Sequence, residues 1–239
     1  MGQLFDVSYM IRSFPVLLAS LPITLIITAV ATVCGFIIGI FVALVRVRRI
    51  PILRQLAVVY VSFMRGTPFL VQLFLVYYGL PIAFLGLEMH TGIHVPFEKV
   101  PAIAVAIVGL TLHTGAYLSE IFRAAIESVP QGQREAALSI GMTQFQAFRR
   151  IFLPQAAVFA LPLFTNQFLS TMKSTSIVFV ITVVELLGAA KLYVEDNSAY
   201  FEAYLVVALI YWIMGIVIEF IFARLTDYLG RYKQGHSES

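Results

Sequence analysis

Five stretches of this 239-residue sequence stay apolar for longer than a soluble core element requires, at about 14–45, 56–85, 100–122, 152–190 and 203–223. A helix crosses the hydrocarbon core of a bilayer with ~20 apolar residues. Only 12% of the residues are charged, against about 25% in soluble domains, too few to cover a water-facing surface. The fold class that follows is all-α and polytopic, with five spans in a single domain over 1–239. Two runs carry interruptions. The second is broken by Arg65-Gly66-Thr67-Pro68, and the fourth contains Lys173-Ser174-Thr175-Ser176. The fourth therefore reads as one span over 152–171 followed by a short re-entrant or interfacial segment. Pro15 and Pro22 put the start of the first run at the membrane interface.

Lysine and arginine placement sets the orientation. The segments after spans one and three and the tail after span five hold eleven, from Arg46 to Lys233, and the alternate side holds three, Arg12, Lys99 and Lys191. The N-terminus is thus expected outside and the C-terminus inside, which five spans satisfy. Residues 1–10 are acidic and polar without a positive leading region, so no cleavable leader is expected. Cys34 sits in an apolar run, where a thiol packs and does not react. A net charge of +3 without a basic patch interleaved with aromatics gives no reason to invoke nucleic acid. The phosphate-binding pattern G-x-x-x-x-G-K-[ST] does not occur, so an ATPase site of that kind is not expected in this chain.

The cytoplasmic loop over 127–150 is built to fold. Pro130 suits a helix start, 131–140 is rich in helix formers, and Gly141 suits a left-handed stop. Thr143 with Gln146 then forms the pattern of a capping box opening a second helix. Ala136 and Ala137 leave the first helix a narrow face that another groove can approach closely.

Glu135-Ala136-Ala137, Gly141 and Ile151-Phe152-Leu153-Pro154 match E-A-A-x3-G-x9-I-x-L-P, so this loop resembles the EAA loop of ATP-binding-cassette (ABC) importer permeases. The run Arg65 to Phe74, the run Ala116 to Arg123 and Gln131-Gly132-Gln133 resemble the polar amino acid uptake subfamily, whose members serve histidine, glutamine, arginine or cystine. The resemblance implies a type I importer permease in a bacterial cytoplasmic membrane. Its implied partners are an ATPase dimer, a second permease copy or a sister permease, and an extracytoplasmic amino-acid-binding protein. ATP and magnesium would be bound by the ATPase, with no cofactor held by this chain. Glu135, Ala136, Ala137, Gly141, Arg149, Arg150, Leu153 and Pro154 would then couple transport to ATP hydrolysis.

Polar groups within spans are costly in hydrocarbon and point to function by default. His113, Tyr117 and Glu120 share a face of the third span, bordered by Thr114, while Asn166 with Ser170 and Gln167 with Thr171 form adjoining stripes on the fourth. With Leu70 and Gln72 of the second span, these residues are expected to line a pocket for a zwitterionic solute. Glu120 and Arg65 lie at matching depth and are expected to form an interhelical ion pair, and Lys173 is expected to snorkel outward. The Asn166–Thr171 stripes are neutral, which favours a cystine- or glutamine-type substrate over a cationic one. A proton-coupled secondary transporter or channel, with Glu120 and His113 as relay, is the alternative. It predicts an inverted repeat, which the sequence lacks. His90 and His94 alone do not make a metal site.

The orientation is testable with an impermeant maleimide. In a Cys34→Ser background, cysteine at Thr91 should label from outside and cysteine at Gln133 only after permeabilisation; equal labelling from outside would overturn the topology.

Overall fold

Proline placement divides the apolar runs into more pieces than their hydrophobicity suggests. The computed structural model describes residues 6–94, 96–194 and 199–234, and all regular elements among them are helical. Residues 1–5 of the polar lead lie outside the described residues.

The run over 14–45 is two helices, not one. Helix α1 (Val7–Leu18) ends before α2 (Leu21–Val47), whose first turn accepts Pro22 because the N–H donor it lacks would have no intrahelical partner there anyway. At 12 residues α1 is about 18 Å long, too short to cross. Asp6 caps it by accepting from the Tyr9 amide at 3.1 Å, and the Asp6 amide donates to Glu202 at 3.0 Å, tying α1 to the last helix.

The run over 56–85 is likewise divided, into α3 (Leu53–Gly66) and α4 (Phe69–Thr91). Pro68 forces Thr67 out of the helical region, to φ −120° and ψ 149°. The Gln72 amide then donates to the Met64 and Thr67 carbonyls at 2.7 and 2.9 Å, so the freed end of α3 is not left bare. Helix α5 (Ala102–Ser128) is followed by α6 (Gln131–Ser139), α7 (Gln144–Ala147), a π-turn (Phe148–Phe152) and α8 (Leu153–Ser174). A 3-10 stretch (Thr175–Ile181), α9 (Leu186–Val194) and α10 (Tyr200–Gln234) complete the order.

Five helical segments are long and apolar enough to cross a membrane: Leu21–Val47, Phe69–Thr91, Ala102–Ser128, Gln144–Ile181 and Tyr200–Tyr228. The fourth runs beyond the expected 152–171 at both ends, because α7, the π-turn, α8 and the 3-10 stretch follow one another without a break. After it, Thr182 turns left-handed at φ 67° and the chain folds back as α9. Glu185 holds that fold. It is fully buried, accepts from the Leu187 and Gly188 amides at 2.9 Å each, and accepts from the Tyr211 hydroxyl at 2.9 Å. One carboxylate thus caps α9 and ties it to α10.

Helix α5 is the centre of the packing, touching α2, α3, α4, α8 and the 3-10 stretch. Ile27 and Ala31 of α2, Phe69 and Leu73 of α4, and Val105 and Leu110 of α5 form one buried apolar cluster around it. Helices α2 and α5 run parallel, with Gly35 against Gly115 and Gly39 against Leu118 and Ser119. The Gly35/Gly39 spacing is the small-x-x-x-small pattern that lets backbones approach in lipid. A Cβ at Gly39 would sit 2.9 Å from the Leu118 Cβ and 3.1 Å from the Ser119 nitrogen, whereas one at Gly79 of α4 would meet nothing within 4 Å. Gly39→Ala should therefore destabilise the detergent-solubilised protein by about 1–3 kcal/mol through overpacking, and Gly79→Ala should not. Equal melting temperatures for the two variants would show that the α2–α5 approach does not limit stability.

Candidate functional site

The two polar stripes of α8 point in different directions. Gln167 and Thr171 turn inward: the Thr171 hydroxyl lies 3.0 Å from that of Thr114 on α5, and the Gln167 amide donates to it at 3.4 Å. Gln72 and His113 are also interior, with His113 Nδ1 2.9 Å from Gln72 Oε1 and the imidazole 5.0 Å from the Phe69 ring. These five residues are brought together around α5, but their polar groups largely satisfy one another in packed protein. Asn166 and Ser170 are exposed, as is Lys173 beyond them, and Leu70 is exposed at the start of α4. Tyr117 is half-buried, its ring 4.9 Å from that of His113. The residues expected to line one pocket thus divide into an inner network and an outer stripe.

The expected Arg65–Glu120 pair does not form. Glu120 pairs with Arg46 of α2 and, through its other oxygen, with Arg123 at 2.8 Å; Arg123 continues to Glu127 at 2.5 Å. The reason lies in the α2–α5 register. With Gly39 beside Ser119, Arg46 lies past Glu120 along the pair, and its side chain leans back toward its own N-terminus. Arg65 instead places its guanidinium 5.6 Å from the Tyr117 ring centre. Depth along two spans is legible in a sequence, but which cation shares a side with Glu120 is decided by packing.

The 127–150 segment holds a helical hairpin closed by local hydrogen bonds. Pro130 caps α6, and Gly141 adopts φ 84°. The Gly141 amide donates to the Leu138 carbonyl at 3.0 Å and the Met142 amide to the Ala137 carbonyl at 3.1 Å, the two bonds of a Schellman motif. Thr143 and Gln146 form a reciprocal capping box, with bonds of 3.2 and 2.9 Å, and Arg134 reaches across to Gln144 at 2.8 Å. Ala137 is buried, while Glu135, Ala136, Arg149 and Arg150 are exposed, and Pro154 enters the first turn of α8 beside exposed Leu153. Ile140 and Phe145 stand 76% and 69% exposed at the hairpin tip. Large apolar side chains at an otherwise polar tip are suited to docking in a partner's groove.

Residues 35–229 match the family of binding-protein-dependent transport system inner membrane components. The chain belongs to this family. It is a multi-pass protein of the bacterial cytoplasmic membrane. The chain is similar to the probable amino-acid permease protein YxeN of Bacillus subtilis (strain 168), 46% identical over 212 residues that cover 89% of this chain and 90% of that protein. It is also similar to the L-cystine transport system permease protein TcyL of the same organism, 40% identical over 93% of this chain and 90% of that one. The fold matches the crystal structure of an amino acid ABC transporter with histidines at TM-score 0.78 and 32% identity, covering 95% of this chain and 100% of the other.

Three residues of this inner membrane component escape a sequence reading. Arg46 looks like one more cytoplasmic arginine, Glu185 like part of a loop, and Glu219 like an isolated charge in α10. For Glu219 the signal was available: it is a carboxylate inside an otherwise apolar window. His90 and His94 are held by local partners, His90 by the Gly86 carbonyl at 2.8 Å and His94 by Glu88 at 2.9 Å. Cys34 is exposed on α2 and not packed inside.

The corrected pairing can be measured. A double-mutant cycle of Arg46→Gln with Glu120→Gln should give a coupling of roughly 0.5–3 kcal/mol in thermal unfolding, and the same cycle with Arg65→Gln should give none. The reverse pattern would restore the Arg65 assignment.

Proposed function

We propose that this chain is the translocation subunit of an ABC importer for a polar amino acid, of cystine or glutamine type, and that it carries no ATPase site of its own. The N-terminus lies outside and the C-terminus inside. An ATPase dimer docks on the α6–α7 hairpin, a second copy or sister permease completes the pathway, and an extracytoplasmic binding protein delivers the amino acid.

The supporting observation is that the hairpin and the polar stripe share one rod. The helical run Gln144–Ile181 carries the exposed Phe145 at one end and the exposed Asn166, Ser170 and Lys173 toward the other. Phe145 and Asn166 are 21 positions apart, about 32 Å along a helix. The run passes a π-turn and Pro162 without a break, so a movement imposed on the tip by ATP binding would be passed along it to the stripe. Exposed amide, hydroxyl and ammonium groups on a span do not suit lipid, so this face belongs against another permease or a water-filled path. The similarity to amino acid permeases and to a solved amino acid transporter supports the substrate class.

Among the substrate residues, Asn166 and Ser170 line the path directly. Gln167, Thr171, Thr114, His113, Tyr117, Leu70 and Gln72 back it and fix its shape.

The test is ATP-driven uptake by the permease co-expressed with its ATPase and binding protein, with glutamine, cystine and arginine in competition. Glutamine or cystine should outcompete arginine. Gly141→Val forces a β-branched residue into a left-handed turn at an estimated 1–3 kcal/mol; it should reduce uptake and ATPase stimulation while leaving membrane abundance near normal. Normal uptake by that variant would remove the hairpin from the coupling role.

A further inference from the structure

Two ionisable side chains of opposite sign lie within spans and, among the described residues, neither is in an ion pair or a side-chain hydrogen bond: Lys173 of α8 and Glu219 of α10. Both line one cavity of about 270 Å³ between the two helices, with Leu169, Met172, Tyr211 and Gly215 among its walls. Ionisable groups within spans are costly in hydrocarbon, so two left without partners, Lys173 in the last turn of α8 and Glu219 in α10, call for a ligand or for one another.

The helices run antiparallel here. Phe164 and Phe168 of α8 pack on Phe222, with ring centres 5.8 Å apart in each case, while Thr175 approaches the Tyr211 hydroxyl at 3.4 Å. Side chains on a helix lean toward its own N-terminus. Lys173 therefore leans toward the level of Leu169 and Glu219 toward the level of Gly215, so the two heads converge from opposite ends of the cavity. At Gly215 an added Cβ would meet nothing within 4 Å, so the wall is open there. The volume falls just below the roughly 300–1,000 Å³ of sites for drug-sized ligands, a scale suited to a free amino acid.

We propose that Lys173 and Glu219 form a head-group subsite for an α-amino acid, the Lys173 ammonium receiving its carboxylate and the Glu219 carboxylate its ammonium. The inference rests on the amino acid importer reading above and deepens it. The chemistry is matched in sign and number. Both side chains stand on the exposed faces of their helices within the spans, and a zwitterion satisfies both charges at once and leaves the cavity neutral, which a simple cation or anion does not. Side-chain recognition then falls to neighbouring groups such as Asn166 and Ser170 on the same exposed stripe. On this proposal Lys173 has a role inside the pathway in place of snorkelling outward.

The experiment uses the permease purified with its ATPase, with uptake in proteoliposomes supplied with the binding protein as one arm and saturation-transfer NMR titration of the permease–ATPase complex as the other. The probes are L-glutamine, its analogue without the α-amino group and its analogue without the α-carboxylate. Glu219→Gln should weaken glutamine binding at least tenfold and leave the already weak binding of the deaminated analogue unchanged. Lys173→Gln should do the same with respect to the decarboxylated analogue. The charge-exchanged double variant, Lys173→Glu with Glu219→Lys, should not regain uptake, because the amino acid would have to enter reversed. Monodispersity on size exclusion establishes that each variant is folded. Uptake restored by the exchange would identify a plain interhelical ion pair and overturn the proposal. Wild-type affinity in both single variants, or equal penalties on all three probes, would overturn it as well. With wild-type amino acid uptake intact, those outcomes remove this subsite alone; absence of any amino acid uptake by the wild-type complex removes the importer reading with it.

Discussion

Close approach between α2 and α5 is the contact on which the other placements depend. Lipid offers no hydrophobic gain for bringing two apolar helices together, so contact area and backbone proximity must supply it. Gly35 and Gly39 allow α2 to lie against Gly115, Leu118 and Ser119 of α5. That approach fixes the register that brings Arg46 to Glu120, and it leaves the rest of α5 free to receive α3, α4 and α8. The Tyr60 hydroxyl donates to the Leu112 carbonyl at 2.6 Å, holding α3 against the same central helix. Shift α2 outward by a methyl group and the ion pair, the α3 contact and the wall facing α8 all move.

Polar groups in the spans then sort by whether this scaffold satisfies them. Gln72 bonds the broken end of α3 and His113; Thr114 meets Thr171; Glu185 gathers two amides and a tyrosine hydroxyl. Each joins elements distant in sequence and has little bonding capacity left for a solute. Asn166, Ser170, Lys173 and Glu219 have no such interior role and stand on exposed faces of α8 and α10. The distinction is physical. A buried group with its bonds made holds the fold, and an unsatisfied one within a span requires something beyond the single chain.

Span existence and type were legible in the sequence because ~20-residue apolar runs admit few alternatives. The hairpin was legible too, since Pro130, Gly141 and the Thr143–Gln146 pair each dictate local backbone geometry regardless of what surrounds them. What could not be read was anything set by helix rotation. Adjacent stripes on α8 differ by one position, and one faces α5 while the other faces outward; hydropathy treats Asn166 and Gln167 alike. The Arg65–Glu120 expectation failed on the same ground. Depth is a one-dimensional quantity and pairing is not. The helix breaks at Ser20 and Thr67 were half legible, marked by Pro22 and Pro68 but hidden inside continuous apolar runs.

The fourth span joins the hairpin to the polar stripe in one continuous helical run, which supports the coupling role proposed for it. A flexible joint between α7 and α8 would dissipate displacement of the tip before it reached the membrane. The chain instead continues through a π-turn at Phe148–Phe152, where the Leu153 amide still reaches the Phe148 carbonyl and Phe148 stacks on Phe152 with ring centres 5.6 Å apart. The wider turn rotates the helix without interrupting it. Arg149 and Arg150 are carried on that turn, outward and exposed. The run is held at one end by a Schellman turn and a capping box and at the other by the Thr114–Thr171 contact with α5. Under the proposed coupling, movement of the hairpin would turn the Asn166–Ser170–Lys173 stripe toward or away from α10 and Glu219, and the pocket between α8 and α10 is where that movement would be felt.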